Sequence, residues 1–158
     1  MSQGLRSKAI RLLARRERSR AELRRLLDPD GDEVALVDQL LDDLQTQGWL
    51  SEARLAEQVV NTRRSRGSAG RIRLELRRRG LPQDAIDGAT EGLEAGDFAV
   101  ALDLWRRRFG KIADDRAERE RQLRFLLARG FGQGMALKVL RHAGDQDSND
   151  TQEWNDDS

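Results

Sequence analysis

Apolar side chains recur along the chain at intervals of three and four residues, the period of an amphipathic helix, and runs of alternating β-branched or aromatic residues are missing. Leu5, Ala9, Leu12 and Leu13 mark the first such face. Ser19 followed by Glu22 is a capping box that opens a second helix after a turn over Arg16 to Ser19. That helix stops near Asp28-Pro29-Asp30-Gly31, and a third runs from about Asp32 to Gly48 with Leu36, Val37, Leu40, Leu41 and Leu44 on one face. A fourth opens at Ser51, carries Leu55, Ala56, Val59 and Val60, and breaks at Gly67; a short helix from Gly70 to Arg79 follows, ended by Gly80. Pro82 suits a first helical turn, and Ala85, Ile86, Ala89 and Leu93 continue the pattern to a break at Gly96. Asp97 is expected to cap a helix with Phe98, Ala101, Leu102, Trp105 and Phe109, closed by Gly110. The stretches Asp114 to Arg129 and Gly132 to His142 bring the predicted helices to nine.

The helices also come in threes. Sliding Arg71 to Gln83 by 50 residues onto Arg121 to Gln133 superimposes Arg71 on Arg121, Leu76 on Leu126, Arg79 on Arg129, Gly80 on Gly130 and Gln83 on Gln133. The same shift backwards places Leu26 opposite Leu76, so a weaker first copy is present. A period of this size predicts an all-α protein of three tandem three-helix repeats, each burying its apolar face partly against its neighbour, in an elongated curved rod. The expected boundaries are 1–48, 49–95 and 96–143, with 144–158 a disordered acidic tail.

Composition sharpens this picture. With 37% hydrophobic and 36% charged residues in 158, helices can bury stripes but cannot supply a thick core. There is no cysteine, so disulfides and thiolate metal sites are excluded, and no segment resembles a secretory signal or a membrane span. A cytoplasmic protein, without membrane association, is the expectation. The formal charge of +1 conceals an asymmetry, because Gly144 to Ser158 holds six acids and no base. That stretch has too little hydrophobicity to recover the entropy of folding. The positive charge of the body is almost wholly arginine, whose planar fork suits phosphate and carboxylate; GC-rich codon usage would produce the same bias.

Between Arg63 and Arg79 lie Arg63, Arg64, Arg66, Arg71, Arg73, Arg77, Arg78 and Arg79 against the single acid Glu75. On a helix, Arg73 and Arg77 fall on one flank of the apolar arc and Arg71 and Arg78 on the other. A solvated helix surface would look similar, but like charges four apart cost a few tenths of a kcal/mol, which a phosphate backbone or an acidic protein face would offset. The expected partner-binding residues are Arg63, Arg64, Arg66, Arg71, Arg73, Arg77 and Arg78, with Arg121, Arg124 and Arg129 as the equivalent strip of the third repeat.

Other constellations point to ordinary structure. Gly67-Ser68-Ala69-Gly70 has the GxxG spacing of a nucleic-acid-binding loop but lacks flanking strands, so an interhelical joint is expected. Asp28, Asp30 and Asp32 lack the glycine and glutamate a calcium loop requires, Glu33 and Gln39 standing in those places. The only histidine, His142, is expected at a helix C-terminus; with no Cys, no Tyr and no phosphate-binding lysine loop, no catalytic set, metal site or cofactor is expected. Trp105 and Phe109 read as core, Trp49 as packing where the first two repeats meet, and Trp154 as a lone aromatic or a short docking motif in the tail.

Four segments, in order, resemble the RecX family: Arg15-Arg16-Glu17-Arg18-Ser19-Arg20-Ala21-Glu22-Leu23, Gly48-Trp49-Leu50-Ser51-Glu52-Ala53-Arg54-Leu55-Ala56, Arg71-Ile72-Arg73-Leu74-Glu75-Leu76-Arg77-Arg78-Arg79-Gly80-Leu81, and Arg124-Phe125-Leu126-Leu127-Ala128-Arg129-Gly130-Phe131. The similarity spans about Leu5 to His142; Trp49 and Leu55 stand where the family often has Tyr and Phe. The resemblance implies a concave basic surface lodged in the groove of the RecA recombinase filament, inhibition of strand exchange and ATPase activity, and some direct affinity for single- or double-stranded DNA with low sequence specificity. It implies a regulator of DNA repair and recombination linked to the SOS response; with no long exposed apolar heptad to drive self-association, a monomer is expected. The alternative is a sequence-neutral DNA-binding helical protein that acts independently of RecA.

Overall fold

The computed structural model describes the fold of residues 2–153 and the side chains of 3–149. Among these residues there are nine α-helices and no strand: α1 (Ser2–Arg15), α2 (Arg20–Leu27), α3 (Val34–Thr46), α4 (Glu52–Arg63), α5 (Ala69–Arg78), α6 (Gln83–Thr90), α7 (Asp97–Arg108), α8 (Arg116–Ala128) and α9 (Gln133–Glu153). Two short 3-10 turns, Arg64–Arg66 and Leu93–Gly96, lie between them. The chain forms two compact units. One comprises the chain up to Thr62 with Arg73–Glu91; the other comprises Arg63–Ile72 with the chain from Gly92 onward.

In the first unit α1, α2 and α3 close over Ala9, Leu23, Leu27, Val37, Leu41, Leu44 and Leu50. Burying each of these leucines is worth about 1.5–3 kcal/mol. The same unit buries Leu55, Ala56 and Val59 of α4, Leu76 of α5 and Ile86 of α6. In the second unit α7, α8 and α9 enclose Leu102, Trp105, Leu126, Phe131, Ala136 and Val139. Its one buried amide is satisfied at both ends: Gln122 Oε1 accepts from Trp105 Nε1 at 2.9 Å and Gln122 Nε2 donates to the Lys111 carbonyl at 3.1 Å. Trp105 is thus core, and Phe109 packs edge-on against Phe125 with ring centres 5.3 Å apart.

The all-α repeat reading and the capping box at Ser19 hold, and several local expectations are corrected. The α6 helix ends at Thr90, because Gly92 takes φ +71° and Leu93 enters the 3-10 turn instead of continuing the helix. The third helix starts at Val34; the Asp28 carboxylate accepts from the amides of Asp32 and Glu33, both at 3.0 Å, and closes the loop before it. Leu36 is exposed, and so is Trp49 at 45%, so neither belongs to the buried core. Asp97 makes no cap for its own helix. His142 lies within α9, edge-on to Phe98, since that helix runs on to Glu153. The α9 helix continues from the third repeat through residues 144–153, and Trp154 and the acids after it lie outside the described residues.

Candidate partner-binding surface

Two junctions between successive repeats are built alike, and they decide which arginines are committed to structure. In the first unit, α2 opens on buried Ser19, whose hydroxyl accepts from the Glu22 amide at 3.0 Å and donates to the carbonyl of Arg79, at the end of α5, at 2.5 Å. Glu22 completes the capping box by accepting from the Ser19 amide. The same carboxylate takes two hydrogen bonds from the Arg79 fork, Nε at 2.6 Å and Nη2 at 3.0 Å. The Arg20 amide, next along α2, donates to Glu52 of α4 at 2.8 Å. Gly80 has φ +80°, and a Cβ there would lie 2.7 Å from the Ala21 Cβ, so the approach of α2 to the end of α5 requires glycine.

The second unit repeats this arrangement with new residues. Ser68, buried, opens α5: its hydroxyl accepts from the Arg71 amide at 3.1 Å, and its own amide donates to the Arg129 carbonyl at the end of α8 at 3.1 Å. The next amide, Ala69, donates to the carboxylate of Asp97, the first residue of α7, at 3.0 Å. Asp97 also pairs with Arg64 Nη1 at 2.7 Å. Gly130, with φ +92°, stands where Gly80 stands, and a Cβ there would come 2.5 Å from Ser68 Oγ and 2.8 Å from the Arg71 Cβ.

Charge distinguishes the two. Burial works to raise the Glu22 carboxyl, but hydrogen bonds from Arg79 and the Ser19 amide, with the charges of Arg79 and Arg16, overcome it and hold the group below the usual carboxylate range. The hydrogen bond that Arg79 donates to Glu22 in turn raises Arg79 above its ordinary value. In the second junction Arg71 takes the place of Glu22; its Nη1 donates to the Ala128 carbonyl at 2.6 Å. Arg129 lies over the Phe125 ring, 5.1 Å from its centre.

The arginines singled out from sequence therefore separate into two kinds. Arg64 is half-buried against Asp97 and the Leu93 carbonyl, and Arg73 is half-buried with Nε 3.0 Å from the Thr90 hydroxyl; both tie loops to helices. Arg121 is exposed, paired with Glu118 and placed 5.8 Å from the centre of the Phe109 ring. Arg63, Arg66 and Arg71 in the second unit and Arg77 and Arg78 in the first are exposed, as is Arg124 on α8. Of these, Arg66, Arg71, Arg77, Arg78 and Arg124 make no ion pair among the described residues. Arg79, Glu22, Glu52 and Asp97 were not legible as a set, because each meets its partner 28 to 57 residues away. The coincidence of Arg79 with Arg129 and Gly80 with Gly130 under the 50-residue shift was the one available signal. Among the described residues no cluster of acids and histidine could hold a metal ion, and no helix is long and apolar enough to cross a membrane.

Known proteins match both the helices and the sequence. Residues 51–89 fit the model of the second three-helix domain of RecX, and residues 95–140 that of the third. The regulatory protein RecX of Leptothrix cholodnii is 43% identical over 146 residues, covering 92% of this chain and 93% of the relative. That of Ralstonia nicotianae is 42% identical over 139 residues, 88% of this chain and 87% of its own. The crystal structure of RecX from Lactobacillus salivarius superposes with a TM-score of 0.73 at 16% identity, covering 90% of this chain and 96% of that one, which shows a shared fold. Two matched domains in tandem, and near full-length identity above two-fifths, place the chain in the RecX family of regulatory proteins.

Proposed function

We propose that the chain binds the RecA recombinase filament on DNA and inhibits strand exchange and ATP hydrolysis by occupying the filament, with no catalytic step of its own. The observation that carries this reading is the set of exposed arginines without acid partners among the described residues, Arg66, Arg71, Arg77, Arg78 and Arg124, each available to an anionic surface. Family membership supports RecA as the target, and the arginine content supports an added, sequence-neutral affinity for DNA phosphates. Arg63, Arg121 and Arg129 add positive charge, while Arg64 and Arg73 chiefly tie loops to helices. The working modules are the three repeats, 1–48, 49–95 and 96–143, acting as a monomer in the cytoplasm.

The test is the ATPase rate of RecA on saturating single-stranded DNA as this protein is titrated in. Inhibition below the concentration that coats DNA alone supports direct action on the filament. Inhibition abolished by added DNA, or none at all, favours the RecA-independent DNA-binding reading. Reversing Arg77 and Arg78 together to Glu is expected to weaken inhibition at least tenfold, through repulsion as well as loss of contact, whereas truncating either one costs a few-fold at most.

A further inference from the structure

The first and third helices of a repeat are bridged by large side chains in one unit and stand apart across an open cleft in the other. A shift of 45 residues places Glu52 on Asp97, which accept from equivalent amides, and so sets Ala53 opposite Phe98. The 50-residue shift sets Ala85 opposite Met135 and Gly88 opposite Lys138. In α7 and α9, Phe98 and Met135 pack against the buried core. The Lys138 ammonium lies 4.9 Å from the centre of the Phe98 ring, and His142 meets that ring edge-on. A ring from one helix and a cation from the other thus bridge them. Between α4 and α6 those side chains are missing, and Ala53, Val60, Ala85, Gly88 and Ala89 line an open cleft of about 480 Å3. Nothing within the chain requires glycine at 88: it lies inside α6, where alanine is the more favourable residue, and a Cβ there would meet nothing within 4 Å. Glu57 and Asp84 also line the cleft, both exposed, and neither carboxylate has a partner among the described residues. The positions that answer to them, Leu102 and Gly134, carry no charge.

We propose that the cleft between α4 and α6 receives a segment of a partner protein that carries one aromatic side chain with a lysine or arginine beside it. The ring takes the place that Phe98 fills against α9, and the cation, set over it as Lys138 is over Phe98, meets Glu57 and Asp84. The volume is that of a pocket able to bury such a group, and the small residues of its floor let a partner backbone approach closely. Two unpaired carboxylates repel a phosphate backbone, so the occupant is a basic protein segment and not nucleic acid. This contact is opposite in charge to the arginine surface, and it rests on the reading above only for the existence of a protein partner.

The experiment uses the full chain labelled with 15N, titrated at low salt with alanine-based dodecapeptides that carry Phe and Lys on one face, Phe and Glu, or Ala and Lys. The Phe/Lys peptide is expected to move the amide signals of Ala53, Glu57, Gly88 and Ala89. Replacing its Phe by Ala should raise the half-saturating concentration roughly tenfold, and replacing its Lys by Glu roughly fivefold. Ala53→Phe, which fills the cleft from inside as Phe98 does, should abolish the shifts. Glu57→Lys with Asp84→Lys, at two exposed positions, tests the same cleft without filling it: the Phe/Glu peptide should then bind better than the Phe/Lys peptide. The proposal is overturned if the Phe/Lys peptide leaves those amides unmoved, if Ala53→Phe binds it as the parent does, or if the reversed rim keeps the parent's preference. It is equally overturned if the same amides shift when the chain alone is concentrated, which would give the cleft to a second copy. Because the peptides require no filament, failure here leaves RecA inhibition untouched, and absence of RecA inhibition leaves this binding test intact.

Discussion

Glu22 concentrates more of the first junction in one side chain than any neighbour does. It caps its own helix and holds the Arg79 fork, so Glu22→Gln leaves a half-buried guanidinium without its anion and should cost about 1–3 kcal/mol in urea unfolding at neutral pH. Folding depresses this carboxyl, so its contribution is complete above the unfolded carboxylate value and fades as pH falls through the lower folded one. The gap between parent and Glu22→Gln should therefore close in acid and reopen on neutralisation. Glycines give a second contrast. Gly80→Ala and Gly130→Ala each force a Cβ into contacts below 3 Å at positive φ and should cost about 1–3 kcal/mol. Gly88→Ala, inside α6 with open space where its Cβ would sit, should instead add about 0.4–1 kcal/mol.

At the scale of elements, most helices could be read from the chain because their signals are local: the capping box at Ser19, the apolar period of α3 and α7, and the glycines after α5 and α8. What escaped was decided by tertiary partners. Asp97 has the sequence of an N-cap, yet its carboxylate serves the first amide of α5 and the Arg64 fork, 28 and 33 residues away. Similarly, Arg64 and Arg73 belong by sequence to a solvated basic run, and only the positions of Asp97 and Thr90 show them engaged internally. The Asp97→Ala change should accordingly leave α7 intact while loosening the start of α5. Hydrogen exchange is expected to rise at Ala69 and Gly70 before it rises in α7, and global stability to fall by about 2–3 kcal/mol.

For the whole molecule, apolar clusters lie within repeats and the junction contacts join one repeat to the next, so stability should behave as a sum of repeat and neighbour terms. Lesions in separate junctions, such as Gly80→Ala and Gly130→Ala, are expected to add within about 0.5 kcal/mol in the double variant. The α8 helix adds a different consequence. Ser19 and Ser68 each open a middle helix at the residue that meets the next repeat, but α8 begins at Arg116, a full turn ahead of the corresponding place, and takes its cap from its own Asp115 through the Glu118 amide at 2.8 Å. The serine position is thereby occupied by an acid inside a helix, facing no incoming carbonyl. The first turn of this middle helix is thus closed from within its own repeat, so a lesion at Asp115 should stay local where one at Ser19 or Ser68 would reach the neighbouring repeat.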